Sequence, residues 1–142
     1  MNPPPPLKPS PLPQSLWHTL NIDILGPLPN RSHLLVVIDQ RTRFPEVEIV
    51  GSTAALPTLG ALGKIFATHG LPHKIISDNG SPFHSNEFKR YMHAKGIDHH
   101  RITPLHPKAN STAENFMRNL NKTLRIATIK GKSWKIALYN FL

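Results

Sequence analysis

Five consecutive apolar residues, Leu34-Leu35-Val36-Val37-Ile38, place the strongest constraint on the fold. A half-solvated strand alternates apolar and polar side chains, whereas this run leaves neither face suited to water. It reads as a strand covered on both sides, so the sheet that contains it needs further layers packed against it.

The neighbouring segments supply that sheet and its cover. Trp17 to Leu25 alternates loosely and reads as a strand closed by Gly26-Pro27-Leu28-Pro29. Glu46 to Val50 alternates cleanly and gives a third strand after the polar turn Asp39 to Arg43. Short connections between the three predict an antiparallel meander. Pro57 to His69 reads as a helix, with Leu59, Leu62 and Phe66 on one side and Gly70 at its end. Lys74 to Ser77 is a brief strand stopped by Asp78-Asn79-Gly80. Ser85 caps a helix through Lys95, and Ile97 to Ile102 is a fifth strand. Strand–helix–strand connections imply parallel pairing beside the meander, which makes a mixed α/β sheet with helices on it.

Residues 1–14, MNPPPPLKPSPLPQ, hold about half of the 15 prolines and stand apart from this pattern. Such a run favours extended polyproline conformation and reads as a stiff linker, or less readily as a docking motif for a Pro-recognising module. Residues 15–142 are one domain's worth of chain. Zero cysteines exclude disulfides and any Cys-containing zinc site, and no apolar run approaches a membrane span. A net charge of +9 points to a polyanionic partner, nucleic acid first.

That charge has a local focus. Ser111-Thr112-Ala113-Glu114 opens a helical pattern as a capping box. At about 100° per residue, Arg118, Asn121, Lys122 and Arg125 fall within roughly 80° of Glu114. Phe116, Met117, Leu120, Leu124 and Ala127 gather on the other side. A carboxylate therefore begins a cationic stripe, a setting in which it could hold a cation while the stripe meets phosphates.

Among the eight acidic residues, Glu46, Glu48 and Glu87 read as solvated, and Asp39 and Asp98 as turn or edge residues. Asp23, Asp78 and Glu114 remain. Each has a bland reading: Asp23 on an edge strand facing solvent, Asp78 in an Asp-Asn-Gly turn, Glu114 as the partner of Ser111. Jointly they could converge as hard oxygen ligands of the kind Mg²⁺ or Mn²⁺ prefers. The histidines, including His69 with His73 and His99 with His100 and His106, default to exposed or loop positions.

The chain resembles the catalytic core of retroviral and gypsy-type retrotransposon integrases, within the RNase H-like polynucleotidyl transferases. The landmarks are Trp17 with Asp23 and Gly26-Pro27; Val36-Val37-Ile38-Asp39 with Arg43-Phe44-Pro45; and Ile65-Phe66 with His69-Gly70-Leu71-Pro72. They continue with Ser77-Asp78-Asn79-Gly80 and Phe83, His106-Pro107, Asn110, and Glu114 with Arg118. The 35 residues between Asp78 and Glu114 equal the family's D,D-35-E spacing.

The resemblance implies an RNase H-like mixed five-stranded sheet flanked by helices, and two Mg²⁺ or Mn²⁺ ions. Asp23 would bridge both ions, with Asp78 completing one site and Glu114 the other. Residues 103–111 would form the active-site loop, with Asn110 near DNA, and Arg118, Lys122 and Arg125 would follow the DNA backbone. Such enzymes nick element ends with water, then use the 3′-hydroxyl to attack target DNA, without a covalent enzyme intermediate. The resemblance also implies homo-oligomers and a nuclear location. This sequence departs from the pattern at Ser111, where many relatives have Gly, and at Asn115, where an Arg often follows the Glu. It lacks the cysteines of the preceding zinc domain and ends at Trp134–Leu142, where relatives continue, so it reads as a truncated core. The rival expectation is an inactive remnant kept as a DNA-binding module.

Overall fold

The computed structural model describes residues 16–102, 111–131, 133, 138 and 140–142, without the side chains of 111–114, 117, 128 and 129. The linker expected over residues 1–14, the loop holding Asn110, and the side chain of Glu114 lie outside the described residues. The elements run β1 (Thr19–Leu25), β2 (His33–Asp39), β3 (Pro45–Val50), α1 (Ala55–His69), β4 (Lys74–Ser77), α2 (Asn86–Lys95), β5 (Asp98–Arg101) and α3 (Ser111–Ile129).

The five strands form one sheet in the order β3-β2-β1-β4-β5. The first three make the antiparallel meander, with Asp23 opposite Val36 and Val36 opposite Val47. β4 joins β1 in parallel and β5 joins β4 in parallel. This is the mixed five-stranded sheet expected from the sequence. β1 lies in its centre, so Asp23 is not on an edge strand.

The apolar run of β2 is covered on both faces. Leu35 and Val37 join Leu20, Ile22, Leu62, Ile65, Phe88 and Met92 in a core beneath α1 and α2. Leu34, Val36 and Ile38 turn the other way and pack with Leu120 and Leu124 of α3, as well as Leu28 and Leu138. Side chains alternate along a strand. With Leu20 and Ile22 committed to the first core, Asn21 and Asp23 fall on the face that α3 covers.

Local chemistry sets the element ends. Gly26 takes φ +141 where β1 turns toward β2, and a Cβ there would come within 2.8 Å of His33 Cδ2, a contact only Gly avoids. Ser85 Oγ accepts the Phe88 N–H at the start of α2, and Gly96 closes it in the left-handed conformation. α1 begins at Ala55, with Pro57 in its first turn. Trp17, expected to open β1, sits instead in a turn with φ +60. Helix α3 starts at Ser111 itself, one residue earlier than a capping box at Ser111 and Glu114 requires. Its Leu120, Leu124 and Ala127 are buried while Arg118, Lys122 and Arg125 are exposed, as the amphipathic pattern predicts. No helix among the described residues is long and apolar enough to cross a membrane.

Candidate active site

Two of the three selected carboxylates lie at the carboxyl ends of neighbouring parallel strands. The β1–β4 register pairs Thr19 with Lys74, Leu20 with Ile75 and Asn21 with Ile76. Asp23 is two residues beyond Asn21, and Asp78 is two residues beyond Ile76. Strand alternation gives them the same parity: Ile75 belongs to the core under α1 and α2, so Ile76 and Asp78 take the opposite face. That is also the face of Asp23. Glu114 is the fourth residue of α3, the helix that packs against β1 on this side.

Each Asp is held by a backbone donor. Asp23 Oδ1 accepts the Ile24 N–H at 2.8 Å, and the residue is half-buried. Asp78 Oδ1 accepts the Gly80 N–H at 2.8 Å, closing the Asp-Asn-Gly turn, and is exposed. Gly80 fits closely against this carboxylate, since a Cβ there would lie 3.1 Å from Asp78 Oδ1. Among the described residues no group of three His, Cys, Asp or Glu side chains is assembled as a metal site. The side chain of Glu114 is outside that set.

The stripe on α3 borders an open cavity of about 550 Å³ between that helix and the turn after β1. Asn121, Leu124 and Arg125 form one wall, and Gly26, Pro27 and Pro29 stand opposite. Arg118 faces Asn115 at 3.5 Å, so the residue that departs from the family's Arg contacts the stripe instead. Such a row of exposed cations is a surface suited to a phosphate backbone.

Two residues passed over in the sequence carry structural weight. Asp39 is only 2% exposed and accepts the Trp17 N–H at 2.9 Å, the Arg41 N–H at 3.0 Å and the Thr42 hydroxyl at 3.0 Å. It anchors the chain entry to the β2–β3 turn, a long-range role that no local pattern announces. His99 is half-buried rather than exposed, with Nε2 2.7 Å from Ser77 Oγ and its ring 5.1 Å from that of Phe88. The remaining histidines described do not pair as ligands. His73 stacks on His18, and His69 contacts Glu46 at 3.4 Å.

A profile of the family described as Integrase core domain matches residues 12–107. The uncharacterized protein K02A2.6 of Caenorhabditis elegans is 40% identical over 127 residues, covering 89% of this chain and 10% of that protein. The Pro-Pol polyprotein of Simian foamy virus type 1 is 30% identical over 106 residues, 72% of this chain and 9% of the polyprotein. The Transposon Tf2-3 polyprotein of Schizosaccharomyces pombe is 28% identical over 128 residues, with shares of 84% and 9%. The chain thus spans about a tenth of the length of these relatives. Among solved structures, the HTLV-2 integrase catalytic core domain in complex with magnesium, in a trimeric form, superposes with a TM-score of 0.68. That match covers 88% of this chain and 82% of the other at 19% identity, and it speaks for the fold.

Proposed function

The chain belongs to the integrase core domain family, and from that premise we propose that it is a retrotransposon integrase core that nicks element DNA ends and joins them to target DNA. Asp23, Asp78 and Glu114 are assigned as ligands of two Mg²⁺ or Mn²⁺ ions. The observation that carries this reading is the β1–β4 register, which counts Asp23 and Asp78 to the same level on the face covered by α3. Adjacent strands lie about 4.8 Å apart, a separation two carboxylates can bridge through a shared cation.

The donor set suits that group. All three are hard oxygen ligands, and the Ile24 and Gly80 amides fix one oxygen of each Asp. Bound there, divalent cations would activate the attacking oxygen and stabilise the leaving one. The rest falls to the protein. The pairing of Asp23 with Val36 of β2 keeps it from drifting. Arg118, Lys122 and Arg125 are assigned to hold the DNA backbone by charge, and Asn110 is assigned to the DNA-binding surface with them. The reaction needs no side-chain nucleophile.

A core acting on element ends and target DNA together is assigned to a homo-oligomer in the nucleus. The test is metal-dependent strand transfer, or its reversal on branched DNA, by the intact chain and by Glu114→Gln. Activity lost in the variant supports the assignment. Equal activity removes it, and DNA binding indifferent to metal with no strand transfer in either leaves the remnant reading.

A further inference from the structure

Strand β4 leads into Asp78, and its two neighbouring strands support that end unequally. Pairing with β1 runs from Thr19–Lys74 to Asn21–Ile76, whereas pairing with β5 continues to Ser77–Arg101. Ile102 then donates its N–H to the Ser77 carbonyl at 2.8 Å. The last residue before Asp78 is therefore held from the β5 side.

Side chains make the same link. Ser77 is wholly buried, with Oγ 2.7 Å from His99 Nε2 and 2.9 Å from the carbonyl oxygen of Asp78. His99 stands opposite Ile75 in the register, and Ile75 belongs to the core beneath α1 and α2. Ser77 is two residues further along, so it takes that face too. The His99 ring packs 5.1 Å from that of Phe88 in α2. Alternation sends the Asp78 side chain to the opposite face, where the Gly80 N–H braces its Oδ1 at 2.8 Å. His99 and Ser77 thus lie behind the strand end, on the face away from the assigned cations.

We propose that His99 is a positioning residue for Asp78: by binding the Ser77 hydroxyl it fixes the Asp78 carbonyl, and with it the direction in which the carboxylate leaves the strand. The inference rests on the assignment of Asp78 as a metal ligand. Groups one step removed from a metal's ligands set ligand orientation, and losing one costs about tenfold or more in metal affinity. Leucine at position 99 keeps an apolar side chain against Phe88 and loses the polar contact with Ser77. Glutamine there places an amide close to the position of Nε2 and keeps that contact.

The experiment compares the full chain with its His99→Leu, His99→Gln and Ser77→Ala variants. Without metal, the amide proton shift of Gly80 reports its bond to Asp78 Oδ1, and that of Ile24 reports the equivalent bond to Asp23 Oδ1. With metal, the electron paramagnetic resonance signal of free Mn²⁺ gives the affinity. His99→Leu and Ser77→Ala are expected to move the Gly80 signal, leave that of Ile24 in place and weaken Mn²⁺ binding about tenfold. His99→Gln is expected to restore both. Mn²⁺ affinity unchanged in His99→Leu, or not recovered by glutamine, overturns the proposal. So do shifts at Gly80 and Ile24 together, which would mean a general loosening of the fold. A parent chain that binds no Mn²⁺, or an Asp78→Asn variant that binds it equally well, removes the metal assignment itself and the proposal with it.

Discussion

Ser77 Oγ and His99 Nε2 lie 2.7 Å apart between β4 and β5. The Ser77 hydroxyl also reaches the Asp78 carbonyl at 2.9 Å, and a neutral His99 protonated on Nε2 satisfies both contacts at once. Burial first, then the positive charges of Arg101 and His100, hold its pKa down at about 4. Two hydrogen bonds thus link β5, through His99 and Ser77, to the backbone of Asp78.

This pair gives stability a pH dependence. In the unfolded chain a histidine titrates near 6.5, while His99 stays neutral in the fold down to about 4. Between those values the unfolded state binds the extra proton, so stability falls as pH falls from 6.5 toward 4. Thermal melting across this window should decline less steeply in His99→Gln than in the parent chain. Parallel slopes would contradict a neutral buried His99.

Asp39 is expected to be a structural carboxylate. Asp39→Asn replaces one accepting oxygen with a donor: at Oδ2 this strands both the Trp17 N–H and the Thr42 hydroxyl, at Oδ1 the Arg41 N–H. A cost of about 1–3 kcal/mol is expected, read as a lower urea midpoint. An unchanged midpoint would mean that the three hydrogen bonds contribute nothing.

Leu120 is fully buried where α3 meets Leu34, Val36 and Ile38. Leu120→Ala should cost about 2–5 kcal/mol, the range for a core truncation that leaves a cavity. A loss below about 1 kcal/mol in urea unfolding would show that α3 rests only loosely on the sheet.

The cationic stripe makes a prediction of its own. Each phosphate neutralised adds about 0.9 to the slope of log affinity against log salt. Replacing Arg118, Lys122 and Arg125 with alanine should therefore reduce that slope by roughly 2–3 for duplex DNA in an anisotropy titration. An unchanged slope would place the DNA elsewhere.

Local pattern was enough to find the elements. The unbroken run Leu34–Ile38 required cover on both faces and has it, and the stripe of α3 followed from helical periodicity alone. Ser85 and Gly96 bounded α2 because capping depends only on near neighbours. Contacts between distant residues were not legible. Nothing near Asp39 shows that Trp17 will bind it, and nothing near His99 shows that Ser77 will meet it. Trp17 read as strand because its neighbours alternate, but its bonds to Asp39 and Gly70 hold it in a left-handed turn. The edge of the meander that β4 would join was also open, and that choice of β1 puts Asp23 in the centre of the sheet. The selection of Asp23, Asp78 and Glu114 came from the resemblance together with the residue types, since spacing alone leaves each with an ordinary structural reading.

The most direct test of the metal assignment is a crystal of this core soaked in Mn²⁺, with the anomalous signal locating the ion. The account predicts an Mn²⁺ peak coordinated by carboxylate oxygens of both Asp23 and Asp78 at about 2.1 Å, with Glu114 across the same cleft, and no such peak in Asp23→Asn. Carboxylates on separate surfaces, with no ion shared between Asp23 and Asp78, would contradict it.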